Sequence, residues 1–193
     1  MCSTGLKKNK LAMVDLDDTL IFTLKANHAA YKLALEEQGF TLSLEDYANN
    51  CNGRKYNAFL PEIMGIDHPA IETVHDRKIE LYADCLKEAE VNRPLVDILT
   101  ALKSEYYIAL VTTASKANVE RILSHFKLTE LFDTVVTQDD VAKTKPDPAC
   151  YNMVIEHYGI IRENCIIFED SKTGIAAALA SGCQTMCIKR GGI

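Results

Sequence analysis

Three carboxylates, Asp15, Asp17 and Asp18, fall within four residues directly after the apolar run Leu11-Ala12-Met13-Val14. An apolar run of that length reads as a buried strand. Acids at the end of such a strand are desolvated and repel one another. A bound divalent cation offsets both effects. The stretch therefore points to a metal site at the C-terminal edge of a parallel sheet, the edge where open α/β folds bind ligands.

Other apolar runs close in the same way. The run 107–111 is followed by Thr112 and Thr113, and the run 165–168 by Glu169 and Asp170; Lys145 lies in a loop beyond a short strand at 134–136. In a parallel sheet these ends share one edge, so distant residues converge there. The set suits phosphoryl transfer. Aspartate serves as a nucleophile that forms an aspartyl-phosphate. Mg²⁺ takes oxygen ligands and keeps waters, so one or two carboxylates plus a phosphate suffice. The charge on the transferring group calls for a metal, a cation and hydroxyl or backbone donors. Asp15, Asp17, Asp170, Lys145 and Thr112 supply that inventory. Plainer roles fit the neighbours. Asp18 reads as a turn residue, Asp147 before Pro148 and Ser171 as helix caps, Gly174 as a point of close packing, and His28 as a helix-face residue.

The elements that must hold these groups follow from the hydrophobic pattern. Residues 27–38 read as a helix ended by Gly39, Ser43 and Asp46 as the start of another, and 49–53 as a turn cluster. Residues 56–64 and 69–86 read as two more helices, with Pro69 in the first turn of the second. Segment 22–90 is thus helical and carries seven Lys and Arg against twelve Asp and Glu, most of the chain's net charge of −6. Beyond Pro94 the pattern alternates: helix about Leu95–Leu102, strand 107–111, helix about Val119–Phe126, strand 134–136, helix about Cys150–His157, strand 165–168, helix 175–179 and strand 185–188. Such alternation implies right-handed crossovers and a parallel sheet. The fold class expected is α/β, a Rossmann-like parallel sheet core flanked by helices with an inserted all-helical cap: residues 1–21 and 91–193 form the core, 22–90 the cap.

At 193 residues, 48% hydrophobic and 25% charged, the chain has the composition of an ordinary globular protein. No basic block marks it for nucleic acid, and no run of about 18 apolar residues could span a membrane. Seven cysteines occur without a CxxC pair, which fits reduced, mostly core residues. The polar segment 1–10 lacks the apolar stretch of a signal peptide. A cytoplasmic location is expected; nothing in the chain sets an oligomeric state.

Asp15-x-Asp17-x-Thr19, Val111-Thr112, Lys145-Pro146-Asp147-Pro148 and Glu169-Asp170-Ser171-x-x-Gly174 occur in that order. Together they resemble the four motifs of the haloacid dehalogenase superfamily, in the branch of phosphoglycolate phosphatases and beta-phosphoglucomutases with a helical cap. The resemblance covers nearly the whole chain. It implies Asp15 as nucleophile and Asp17 as the general acid that later serves as base. It implies Mg²⁺ held by the Asp17 carbonyl, Asp15 and Asp170, with Glu169 as a direct or indirect ligand. Thr112, the backbone at Thr113 and Lys145 would clamp the phosphate, and Gly53-Arg54 resembles the cap's substrate-facing loop. Phe22 departs from the family, which often carries Asp there. The implied activity is Mg²⁺-dependent hydrolysis of a small phosphorylated metabolite. A phosphosugar mutase is the near alternative, and a receiver-like or non-catalytic protein binding phosphate and Mg²⁺ is the alternative of another class.

Overall fold

The computed structural model describes residues 8–189; Cys2 and most of the polar segment 1–10 lie outside them. The chain divides into two compact units, residues 1–21 with 91–193, and residues 22–90. The first strand, β1 (Lys10–Val14), is buried from Leu11 onward. Two short strands, β2 (Ile21–Phe22) and β3 (Glu90–Val91), pair with each other where the chain leaves and re-enters the first unit.

Between them lie α1 (Leu24–Glu36), α2 (Leu44–Asp46), α3 (Tyr56–Met64) and α4 (Ile71–Cys85). Tyr31, Leu35, Tyr47, Phe59, Leu60 and Val74 form this unit's core. The Phe59 ring meets the Tyr31 ring edge-on, with centroids 5.0 Å apart, the geometry that the ring quadrupole favours. Ser43 caps α2 by accepting the Asp46 N–H, as its spacing suggests. Three expectations need correction. The first helix begins at Leu24, three residues earlier than its apolar spacing shows. Pro69 precedes α4 instead of sitting in its first turn, because Ala70 is the cap residue. The polar cluster at 49–53 begins inside a π-helical turn, Tyr47–Cys51, since buried Tyr47 and Cys51 tie it to the core.

The chain continues with α5 (Arg93–Leu102), β4 (Tyr106–Val111), α6 (Lys116–Phe126), β5 (Thr134–Val136), α7 (Ala149–Tyr158), β6 (Cys165–Glu169), α8 (Lys172–Ala180) and β7 (Gln184–Cys187). The sheet order is β5-β4-β1-β6-β7, and its pairs are parallel. This is the Rossmann-like α/β arrangement that strand–helix alternation implies. β1 is central, which explains its unbroken apolar run. β7 is an edge strand, so Cys187 is exposed although it sits in a strand-like run, whereas Cys51, Cys85, Cys150, Cys165 and Cys183 are buried. Lys127 and Gly159, both with left-handed backbone, end α6 and α7. No helix among the described residues is long and apolar enough to cross a membrane.

Candidate active site

The sheet register sets the chemistry-bearing residues side by side. Val14 pairs with Leu110 on one side and Phe168 on the other, so the next residues, Asp15, Val111 and Glu169, lie abreast. The Asp15 N–H donates to the Phe168 carbonyl at 3.0 Å, extending strand geometry one residue past β1. Lys145, from the loop before α7, closes the group. Its Nζ donates to Asp15 Oδ1 at 2.7 Å, to Glu169 Oε1 at 2.5 Å and to the Val111 carbonyl at 2.9 Å. The Lys145 and Glu169 side chains are 3% and 0% exposed.

Glu169 is more fully engaged than a strand-end acid needs to be. Besides Lys145, the Tyr151 hydroxyl donates to Oε1 at 2.9 Å. Oε2 accepts the Asp170 and Ser171 N–H groups at 3.1 and 3.3 Å and the Ser171 hydroxyl at 3.3 Å. Five donors exceed the roughly four acceptor sites of a carboxylate, so the lone pairs are fully used. Ser171 also caps α8, accepting the Gly174 N–H at 3.0 Å. A Cβ at Gly174 would fall 2.0 Å from Glu169 Oε1. Only glycine leaves the carboxylate its place, which is the close packing its spacing suggests.

Asp170 stands next to this group. Thr19, fully buried, donates its hydroxyl to Asp170 Oδ1 at 2.7 Å. Asn92 Nδ2 in turn donates to the Thr19 carbonyl at 3.0 Å. The loop from Asp15 to Ile21 is tight. The Leu20 and Ile21 N–H groups both donate to the Leu16 carbonyl, and Asp17 bridges to Ile21. Asp18 adopts φ 60°, the left-handed turn conformation that short polar side chains tolerate. Asp17, half-buried, lies near enough for its charge to oppose ionisation of Asp15.

Thr112 is buried beside Val111, and its Oγ1 accepts the Ala114 N–H at 3.1 Å. Thr113 is exposed on the same loop. Arg54 belongs to the other unit. Its guanidinium donates to the Asn50 and Ala58 carbonyls and to both oxygens of Glu62, at 2.9 and 2.5 Å. The pair with Glu62, eight residues on, holds the guanidinium within the 50–62 segment. Asp147 accepts the Ala149 N–H at 3.0 Å, the capping role expected, although Pro148 occupies the cap position itself. His28 pairs through Nε2 with the Leu42 carbonyl at 2.9 Å. Tyr151 and Asn92 were missed by sequence reasoning. Tyr151 reads as one more apolar-face residue of a helix, and only its hydroxyl hints at more. Thr19 stands in the first motif but received no role.

Burial works against the charge on Lys145, but Asp15, with Tyr151 and Glu169, outweighs it and holds the ammonium well above the ordinary lysine range. Burial pushes Asp15 up to about 8, against the pull of Lys145. Burial also pushes Asp170 up to about 6, against the Thr19 hydrogen bond. Three carboxylates thus share one ammonium, and full ionisation leaves an excess of two negative charges. Asp15, Glu169 and Asp170 each have a carboxylate oxygen within 4.8 Å of the others, and because the Glu169 oxygens are engaged, Asp15 and Asp170 are the two that offer theirs to a cation. An all-oxygen donor set with that excess charge fits Mg²⁺.

The chain matches the haloacid dehalogenase-like hydrolase family over residues 12–188 and belongs to that family. It is 28% identical to the phosphorylated carbohydrates phosphatase of Thermotoga maritima, covering 88% of this chain and 80% of the relative. It is 27% identical to the phosphoglycolate phosphatase of Aliivibrio fischeri, covering 94% and 85%. Among solved structures, a Thermotoga maritima protein assigned as a beta-phosphoglucomutase superposes with a TM-score of 0.82 at 26% identity, covering 95% of this chain and 87% of its own. The family and its curated relatives bear out the expectation of an enzyme that hydrolyses phosphoric monoesters.

Proposed function

We propose that this hydrolase is a Mg²⁺-dependent phosphatase of a small phosphorylated metabolite, a sugar phosphate or a short phospho-acid, acting through an aspartyl-phosphate on Asp15. The observation that carries this reading is the Lys145 ammonium bridging Asp15 and Glu169 with Asp170 alongside. The names of the curated relatives, which act on phosphorylated carbohydrates and phosphoglycolate, support the substrate class.

In this reading a carboxylate oxygen of Asp15 attacks phosphorus, and Asp17 gives its proton to the departing alkoxide. Asp17 then takes a proton from the water that opens the aspartyl-phosphate, which frees inorganic phosphate and restores Asp15. Thr112 and the N–H of Thr113 bind the phosphoryl oxygens, and Lys145, held by three acceptors, supplies fixed positive charge beside them, so no reorganisation is needed as charge develops. Asp15, Asp170 and the Asp17 carbonyl would hold Mg²⁺. That ion supplies charge neutralisation at the phosphoryl group. Glu169, its oxygens fully engaged, acts indirectly by fixing Lys145 and the Asp170–Ser171 backbone. Segment 22–90 serves as the cap that selects the substrate. The cytoplasmic location expected from the cysteines is part of the same reading.

The likeness to a beta-phosphoglucomutase supports a second reading, in which the phosphoryl group returns to the sugar instead of passing to water. Product analysis separates the two. Incubation with a hexose monophosphate and Mg²⁺ should release inorganic phosphate with a free sugar. An isomeric sugar phosphate with no phosphate released would replace hydrolysis by the mutase.

A further inference from the structure

Cys165 opens β6, and Cys183 immediately precedes β7. The β6–β7 register pairs Ile166 with Gln184, so one residue earlier Cys165 stands opposite Cys183. Neighbouring strands lie about 4.7–4.9 Å apart, and residues abreast in a parallel pair turn their side chains to the same face. That spacing falls within the Cα separation of about 4.4–6.8 Å that a disulfide bridges. Both residues are buried in one apolar cluster, at 1% and 7% exposure.

Their surroundings differ in a useful way. The Cys165 thiol donates to the Ile161 carbonyl at 3.3 Å. The Cys183 N–H donates to Ser181 Oγ at 3.4 Å, and Arg162 Nε donates to the Ser181 carbonyl at 2.7 Å. The Arg162 side chain lies over Gly182, with its Cδ 3.2 Å from where a Cβ would stand. The Arg162 and Glu163 charges therefore act on both sulfurs, and Cys183 is the less deeply buried of the two. The adjacent Cys165 draws Cys183 down to about 6, with Ser181 and Arg162 assisting against burial and Glu163, and Cys183 in turn pushes Cys165 up. Two thiols thus lie side by side, and Cys183, the more exposed of them, is the better placed to attack. The phosphoryl-transfer reading uses neither, and Glu169 is at the other end of β6.

We propose that Cys165 and Cys183 form a redox-active dithiol that closes to an intramolecular disulfide when the protein meets a hydroperoxide. The Cys183 sulfur attacks the peroxide; the O–O bond breaks, the sulfur becomes sulfenic acid, and the leaving oxygen takes a proton to become water or an alcohol. The Cys165 sulfur then attacks the sulfenic sulfur, the S–S bond forms, and the hydroxyl leaves with the Cys165 proton as water. Two thiols are oxidised by two electrons, and one peroxide is reduced by two.

The test is peptide mapping of the wild-type protein after hydrogen peroxide, with alkylation in denaturant. A linked Cys165–Cys183 peptide should appear. The two cysteines should lose alkylation together, and dithiothreitol should restore both. In Cys183→Ser, Cys165 should stay alkylatable at the same dose. The proposal is overturned if both cysteines remain alkylatable while exposed Cys187 oxidises. It is equally overturned if Cys183 reaches sulfinic acid with Cys165 still free, or if either cysteine links elsewhere.

Discussion

At the scale of single residues, the site depends on how completely Glu169 is enclosed. Gly174→Ala places a methyl group where the Glu169 carboxylate sits. It should destabilise the fold by about 1–3 kcal/mol, the usual range for overpacking, and lower phosphatase activity, because the displaced carboxylate also orients Lys145. Urea denaturation checks the first effect and phosphate release the second. Lys145→Ala leaves Asp15 and Glu169 buried without their shared cation. Removing one partner of a buried pair typically costs about 3–5 kcal/mol, so its urea midpoint should fall well below that of wild type. A surface lysine control such as Lys143→Ala, whose Nζ lies 3.7 Å from Asp147, should leave the midpoint nearly unmoved. The reactive carboxylates were legible in the sequence because acids after an apolar run need an explanation. Tyr151 was not, because a tyrosine on an apolar helix face looks the same whether or not its hydroxyl has a buried acceptor.

At the scale of elements, convergence comes from register. Parallel pairing sets Asp15 abreast of Val111 and Glu169, and the turn into α8 aims two N–H groups at Glu169. Ser171 joins both tasks, since its Oγ caps α8 and donates to Glu169. Ser171→Ala should therefore cost about 1 kcal/mol as a lost cap and also reduce turnover, whereas Ser43→Ala, which uncaps α2 in the other unit, should affect stability alone. Thermal denaturation and phosphate release on the two variants distinguish these outcomes. Strand existence was readable from apolar runs ended by polar residues. Boundaries were less so. β6 includes Glu169, and β7 begins at Gln184, one residue earlier than its apolar run, because hydrogen bonding to a neighbour, not hydrophobicity, ends a strand. The start of α4 beyond Pro69 has the same character: proline is compatible with a first turn but does not compel one.

At the scale of the whole molecule, composition excluded much and specified little; the ordered motifs carried the family. The central physical consequence is a surplus of buried negative charge that a divalent cation relieves. Burial raises Asp170 to about 6 in the absence of metal, above the ordinary aspartate value near 3.9. The folded state therefore holds this proton more tightly than the unfolded state. The contribution to stability is fully present below the unfolded value and is lost as pH rises through about 6. Mg²⁺ binds the ionised form, so it competes with protons. Added Mg²⁺ should raise the melting temperature more at pH 8.5, where Asp15, pushed up to about 8, and Asp170 are both ionised, than at pH 5, and Asp170→Asn should shrink that difference in differential scanning fluorimetry.

The most direct measurement is phosphate release from a panel of sugar phosphates and short phospho-acids, comparing wild type, wild type with chelator, and Asp15→Asn. Wild-type protein with Mg²⁺ should turn over at least one substrate repeatedly, while chelator and Asp15→Asn each reduce release to background. Equal release by wild type and Asp15→Asn would contradict a nucleophilic Asp15, and with it the account of the site.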